Sequence, residues 1–369
     1  MKIPAAVLFG VKEDYRIEEI ELDPPNPHEV TVKLAASGLC HSDDHSVTGD
    51  VPCPFPIIGG HEGAGVVTEV GSQVTALKEG DHVLLHPVPN CGECRWCVSG
   101  RANLCDNGAF ALTGYAPDGT YRRRLNGENI GAYVQLGTFA THTTVSETQV
   151  VKIPEDIPLQ TAALIGCGVT TGFGAATKVA DVKPGDVVVV VGVGGVGTSA
   201  VQGARIAGAS TVVAVEPLQF RREFALTMGA THTAASVDEA TDLVREATRG
   251  VMADVVIVTV GVLHGDLLAP VMGLTSKGGK AVITSVAPIA ETTAAVSLFD
   301  LAMSNKRIYG HVFGEANPAE DFRRLIELYR TGLLKLDEMI TTRYSLDQIN
   351  EGYRAMHSGA NIRGLITYD

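Results

Sequence analysis

Residues 186–208 read DVVVVVGVGGVGTSAVQGARIAG, which divides into a strand, a glycine turn and a helix. Five consecutive valines, Val187 to Val191, suit a strand buried on both faces, because a strand with one wet face alternates apolar and polar residues. Gly192-Val-Gly194-Gly-Val-Gly197 follows at once, and TSAVQGARIAG continues as a helical stretch. In that setting Gly192 permits the tight turn, Gly194 lets backbone approach a pyrophosphate, and Gly197 lets the helix pack closely on the strand. The helix N-terminus adds N–H donors and a positive dipole end. The stretch reads as the phosphate-binding turn of a dinucleotide site. Glu216 closes the run TVVAVE nineteen residues after Gly197, where a carboxylate can accept hydrogen bonds from the adenosine ribose hydroxyls. It would repel a 2′-phosphate and so favours NAD over NADP, a preference that Arg221 and Arg222 just behind it soften.

TVVAVE, DVVIVTV and KAVITS recur after the first valine run at about the length of one βα unit. Continuous apolar strands alternating with helices imply a parallel sheet covered on both faces. Residues 1–155 have a different character. Short β-branched runs (VTVKL, GVVTEV, DHVLL, TQVVKIP) broken by Gly, Pro and Asp predict an all-β region with long loops. In the tail, Phe322, Leu325, Ile326 and Tyr329 recur at helical spacing, and Leu346, Ile349, Tyr353 and Met356 do so after a Ser345-x-x-Gln348 capping pattern. A short strand, GLITYD, closes the chain.

A length of 369 residues allows two or three domains, and 45% hydrophobic with 19% charged residues is a globular balance. Against 42 Asp and Glu stand 29 Lys and Arg, a formal net charge of −13, which argues against nucleic acid or an anionic membrane as the main partner. The one basic run, Arg122-Arg123-Arg124, reads as a solvated face. The first residues lack a cleavage-type motif, and glycines split the longest uncharged stretch, so a cytoplasmic protein is expected.

Seven cysteines, an odd number without a secretory signal, point to metal or redox chemistry and away from a disulfide framework. Cys91, Cys94, Cys97 and Cys105 have the spacing C-x2-C-x2-C-x7-C. Four thiolates can enclose a tetrahedral Zn²⁺ with no open position, a site that stabilises a loop and does no chemistry. An iron–sulfur cluster is the other holder of four cysteines, but ferredoxin-like runs continue with a nearer fourth cysteine and a proline, and here Asp106 follows Cys105. Cys40, His61 and Cys167 remain as scattered potential ligands. Spacing alone does not bring them together, and a lone buried cysteine is more often inert packing.

Six segments taken in order resemble the zinc-dependent alcohol dehydrogenases of the medium-chain dehydrogenase/reductase family. They are Cys40-His-Ser42-Asp43-Asp-His45, GHEGAGVVTEVG, the four-cysteine lobe, GCGVTTG, GVGGVG and NIRGLITY, and they span residues 40 to 368. The resemblance implies an α/β protein with a Rossmann-type doubly wound parallel sheet over 169–311 and a GroES-like β-barrel catalytic domain over 1–168 and 312–369, with the active site in the cleft between them. It implies two Zn²⁺ per chain and NAD. Cys40, His61 and Cys167 match the catalytic zinc ligands; Cys91, Cys94, Cys97 and Cys105 match the structural ones. Glu62 matches the acid that can approach the metal, Asp43 the carboxylate that orients the histidine ligand, and Ser42 and His45 the proton relay. His41 and Arg363 are assigned to the pyrophosphate, and Thr171 and Val196 to the nicotinamide pocket. Cys53 matches no ligand position.

The implied reaction is oxidation of a primary alcohol to an aldehyde by hydride transfer to NAD, in a homo-oligomer, dimer or tetramer. GCGVTTGFGAA, AVEP and NIRGLITY are most like the bacterial nicotinoprotein branch, in which NAD stays bound and a second substrate, such as a nitroso acceptor, recycles it. One rival is a dehydrogenase for S-(hydroxymethyl)glutathione, against which stands Ala109, where such relatives often carry an arginine. A non-enzyme rival is a nucleotide-binding sensor with the structural zinc only. Pro87 stands where relatives commonly put an aromatic pocket wall, so a bulkier alcohol, benzylic or medium-chain, is expected.

Overall fold

In the computed structural model, which describes residues 1–368, the valine run Val187–Val191 is the third strand of a six-stranded sheet. From edge to edge the strands are His232–Ala234, Thr211–Val215, Val187–Val191, Ala253–Val258, Thr275–Ile283 and Arg307–Gly310, all parallel. The alternation of side chains explains the unbroken valines. Val188 and Val190 face one apolar core, with Ala200, Val201 and Ala204 of the helix Gly195–Ile206, while Val189 and Val191 face another, with Ala240 and Val244 of the helix Val237–Ala247. Chain order reverses beside Val187–Val191, whose two neighbours are the strands before and after the crossover, and such a point opens a crevice at the carboxyl ends of the strands. Two strands escape the sequence reading. His232–Ala234 is three residues long, and Arg307–Gly310 is an exposed edge, so neither carries an apolar run.

The chain divides into two compact units, one of residues 1–167, 317–332 and 336 onward, the other of residues 168–316 and 333–335. The sequence reading expects changeovers at 168/169 and 311/312; residues 312–316 and 333–335, assigned there to the catalytic domain, pack in the second unit. Asp369, the last residue of the expected terminal strand, lies outside the described residues; the strand itself is Arg363–Thr367.

The first unit is built on two sheets. Glu29–Gly38 is the hub of the larger, pairing antiparallel with Gly63–Val70, His142–Ser146 and Arg363–Thr367. Its core is organised by aromatic rings: Tyr15 meets Phe139 edge-on at 5.8 Å and stacks on Tyr353 at 5.8 Å. Tyr353 comes from the helix Ile349–His357, entered through a 3₁₀ turn at Leu346–Gln348 that carries the Ser345/Gln348 capping box. The helix Pro318–Arg330 buries Phe322, Leu325 and Ile326.

Two features of this unit correct the sequence reading. The region is not purely β, because HSDDHSVT forms the helix His41–Thr48 with Asp43, Asp44, His45 and Ser46 buried. It has no apolar stripe to betray it and is held by polar pairs instead: Asp43 accepts from Gly60 N at 2.8 Å, and Asp44 pairs with His357 at 2.8 Å. Nor is the arginine run a solvated face. Arg122 and Arg123 are 6% and 5% exposed; Arg122 binds both Glu29 oxygens at 2.7 Å, while Arg123 donates to Leu136 O and Thr144 O. Only Arg124, paired with Asp23 at 2.8 Å, keeps substantial exposure.

Candidate active site

Cys40 is the cap of the helix His41–Thr48, just past the hub strand; His61 and Glu62 lead into the strand Gly63–Val70; Cys167 follows the 3₁₀ turn Leu164–Gly166. Ligand atoms of these four residues all lie within 4.8 Å of one another. His61 is held from behind. Its Nδ1 is 2.8 Å from Asp43 Oδ2, at ion-pair distance but off the ideal hydrogen-bond direction, and Asp43 is anchored by Gly60 N–H. That leaves His61 Nε2 buried with no hydrogen-bond partner, beside two thiols. Two sulfurs and one imidazole suit Zn²⁺ with room for a further ligand, so the residues present fit the metal.

The electrostatics favour a cation there. The contact with Cys167 is the main cause that holds the Cys40 thiol well below its ordinary pKa, with His61 and Arg363 adding to it against the opposing effect of burial. Burial alone would depress His61, but Asp43 and Cys40 hold it well above the usual value. Metal binding must therefore displace a proton, and affinity should rise with pH. Glu62 is pushed up to about 7 by burial, against the pull of Arg363, with which it forms an ion pair in which both side chains are at most 3% exposed. A Cβ at Gly38 would overlap Glu62 Oε2, so a larger residue there would displace the pair. Arg363, expected at the pyrophosphate, thus has one guanidinium nitrogen committed to Glu62.

Ser42 Oγ lies 3.7 Å from Cys40 Sγ. His45, one turn further along the helix, is 3% exposed, with Nδ1 3.1 Å from Asp50 Oδ2, which also accepts from Thr48 at 2.7 Å. His41 opens the helix, its ring 6.2 Å from that of His357, and burial is the main cause that lowers its pKa. Sequence reasoning missed Tyr133. Its hydroxyl donates to Ser42 O at 2.7 Å and its ring meets His61 edge-on at 5.7 Å. The segment AYVQLG carries no motif, and only the fold brings Tyr133 across 91 residues to Ser42.

Ligand atoms of Cys91, Cys94, Cys97 and Cys105 likewise lie within 4.8 Å of one another. The loop is shaped around sulfur: Cys94 N–H donates to Cys91 Sγ and Cys91 N–H to Cys105 Sγ, both at 3.4 Å. Contact with the backbone of Asp106 leads the causes that lower Cys94 to about 6, and burial leads those that push Cys97 up to about 12. Mutual stabilisation by proton sharing is what a tetrahedral cation replaces. Cys53, half-buried, belongs to neither cluster.

In the second unit Gly192 has φ +88°, and a Cβ there would lie 2.9 Å from Val260 N. A Cβ at Gly197 would overlap Gly192 O, whereas Gly194 has no atom within 4 Å of where its Cβ would be, which leaves its face of the turn open. That cradle at the N-terminus of Gly195–Ile206 fits a pyrophosphate. Glu216, 5% exposed, accepts from Val193 N at 3.2 Å and Leu218 N at 3.3 Å, with Arg221 Nη1 at 3.9 Å. Arg222 Nη1 turns to the carbonyls of Glu216 and Pro217, 2.7 Å each. The helix Gly168–Gly174, which carries Thr171, passes so close to Val196 that a Cβ at Gly172 would overlap Val196 O.

Two family models match the chain: the alcohol dehydrogenase GroES-like domain over residues 26–155 and the zinc-binding dehydrogenase over residues 195–331. The chain is 48% identical to the NDMA-dependent alcohol dehydrogenase of Amycolatopsis methanolica, covering 100% of this chain and 99% of that one. Among solved structures it resembles an alcohol dehydrogenase zinc-binding domain protein from Burkholderia ambifaria (31% identity, TM-score 0.94, covering 100% of this chain and 99% of that one). It also resembles the benzyl alcohol dehydrogenase of Acinetobacter calcoaceticus (28%, TM-score 0.93, 100% of both chains).

The Asp43–His61 contact generates a prediction. Asp43→Asn should weaken metal retention at the Cys40 cluster about 10- to 100-fold, as loss of a carboxylate behind a histidine ligand does, and leave the four-cysteine cluster untouched. Chelator competition followed by metal analysis reads both, and equal retention by wild type and variant would contradict the orienting role.

Proposed function

The chain belongs to the zinc-binding alcohol dehydrogenases of the medium-chain dehydrogenase/reductase family, and from that premise we propose that it oxidises a primary alcohol to an aldehyde at Cys40, His61 and Cys167, with NAD as hydride acceptor. The observation that carries this reading is the convergence of two thiols, an imidazole and a carboxylate, from three separate parts of the sequence, within 4.8 Å. A nucleotide-binding sensor would have no use for it.

When bound, zinc supplies Lewis acidity that favours loss of the alcohol proton near neutral pH, and NAD supplies the hydride acceptor. The remaining work falls to side chains. Ser42 Oγ, beside Cys40, is positioned to accept the alcohol proton, and Tyr133 fixes the Ser42 backbone. His45, with Asp50 behind its Nδ1, is the onward acceptor. Asp43 holds the His61 ring, and Arg363 balances Glu62. On the nucleotide side, Gly192, Gly194 and Gly197 cradle the pyrophosphate, Glu216 takes the adenosine ribose, and Thr171 and Val196 flank the nicotinamide. His41 and Arg221 are the remaining cofactor contacts we assign. The four-cysteine cluster holds the second zinc.

Pro87 in place of an aromatic wall, together with the likeness to a benzyl alcohol dehydrogenase, favours bulky alcohols. The likeness to an NDMA-dependent enzyme favours NAD that stays bound through turnover. The expected result is kcat/KM rising from ethanol through hexanol to benzyl alcohol, with NAD released from purified protein only on denaturation. A flat or falling series would contradict the substrate reading, and nucleotide-free protein fully active on added NAD would contradict retention.

We also assign this chain to a homo-oligomer in the cytoplasm. Seven free cysteines, six of them in the two clusters, suit a reducing compartment. The edge strand Arg307–Gly310 is exposed, and Leu298, Phe299 and Met303 beside it in sequence are 70% exposed or more, an apolar surface unusual for a monomer. Phe299→Asp should reduce the solution mass measured by light scattering; a wild-type monomer would contradict the assignment.

A further inference from the structure

The crevice beside Val187–Val191 is flanked by the strand Ala253–Val258, and the chain that leaves this strand packs onto the glycine turn. Thr259 N–H donates to Val191 O at 2.8 Å and Thr259 Oγ1 to Gly192 O, while a Cβ on Gly192 would lie 2.9 Å from Val260 N. Residues 259–265 therefore border the cradle for the pyrophosphate.

A second segment, residues 286–296, leaves the next strand, Thr275–Ile283, at the same carboxyl edge, where Thr284 N–H and Ser285 N–H donate to Val258 O at 3.0 and 3.2 Å. It has no helix or strand of its own, and Val296 packs on the apolar core at its far end. Among the described residues, every hydrogen bond that it makes outside itself ends on Leu263, His264 or Gly265. Leu263 N–H donates to Val286 O at 3.0 Å. Glu291 makes the other two contacts: its Oε1 accepts from Gly265 N–H at 2.9 Å, and its Oε2 stands 3.3 Å from His264 Nδ1. The approach is close enough that a Cβ on Gly265 would overlap Thr293 O.

These tethers suit a segment that opens. The N–H to carboxylate bond is charge-assisted, and Gly265 is the main cause that holds the Glu291 carboxyl below its ordinary pKa, with His264 adding to it. An ion pair as exposed as His264–Glu291 contributes little by itself. Segments held so thinly come from the low-stability end of a fold, where lids are found.

We propose, on the reading that NAD stays bound through turnover, that residues 286–296 form a strap at the mouth of the nucleotide crevice, latched by Glu291 to Gly265 and His264, and that the latch sets the rate of NAD exchange. Glu291 is a positioning residue in this arrangement. It acts on the cofactor through residues 259–265, which its carboxylate ties to the strap while Thr259 holds them to the glycine turn. With the latch made, strap and border segment move as one and exchange is slow; with it broken, the strap swings free between Ser285 and Val296 and exchange is fast.

Isotope exchange on the zinc- and NAD-loaded protein tests the latch: excess isotope-labelled NAD is added, and the bound nucleotide is read by mass spectrometry of denatured aliquots. Glu291→Ala should exchange about tenfold faster than wild type, the scale of one lost hydrogen bond to a charged group, with zinc content and melting temperature unchanged. Gly265→Ala removes no group that could touch the cofactor and only pushes Thr293 away, so it should speed exchange in the same direction; it also decides the matter if Glu291→Ala does not fold. Unchanged exchange in either folded variant, or faster exchange that comes with loss of zinc, would overturn the latch alone. Wild type that binds no NAD would overturn the nucleotide reading and the latch with it.

Discussion

Six ionisable groups, Cys40, Asp43, His61, Glu62, Cys167 and Arg363, meet around one point in the first unit, and all but Cys167 are nearly or wholly buried. Buried charge costs several kcal/mol per ion unless it is paired, and the local structure is arranged to meet that demand. The polar helix His41–Thr48 brings Asp43 against His61, and Gly60 N–H anchors it. Arg363, from the last strand, balances Glu62 across 301 residues, and Gly38 leaves room for the pair. A divalent cation completes the balance, since two thiolates beside an imidazole otherwise require protons in its place.

The second unit obeys a simpler constraint. A parallel sheet with apolar cores on both faces needs strands apolar at every position, and consecutive valines answer it with side chains alternating between the two cores. The crevice where strand order reverses, with an open glycine turn at its mouth, is then available to a dinucleotide. The Glu216 carboxylate does more than await a ribose, because it caps Val193 N–H and so helps to shape that turn.

These two constraints explain what was legible from sequence. The valine runs, the glycine turn and the four-cysteine spacing are local signals, each complete within a few residues. The helix His41–Thr48 was illegible because it has no apolar period, and the edge strands because they are short or exposed. Arg122 and Arg123 misled because a basic run ordinarily faces water, whereas here Glu29 comes from 93 residues away to receive Arg122. Cys40, His61 and Cys167 could be grouped only through family resemblance, since spacing says nothing about a contact that closes across more than a hundred residues. Tyr133 carried no signal of either kind.

Metal stoichiometry separates two zinc sites from one. Plasma emission analysis of exchanged, NAD-loaded protein should give two zinc ions per chain for wild type, and close to one for both Cys167→Ser and Cys105→Ser, with alcohol oxidation abolished in Cys167→Ser. One zinc in the wild type, or two retained by Cys167→Ser, would rule out a zinc held by Cys40, His61 and Cys167.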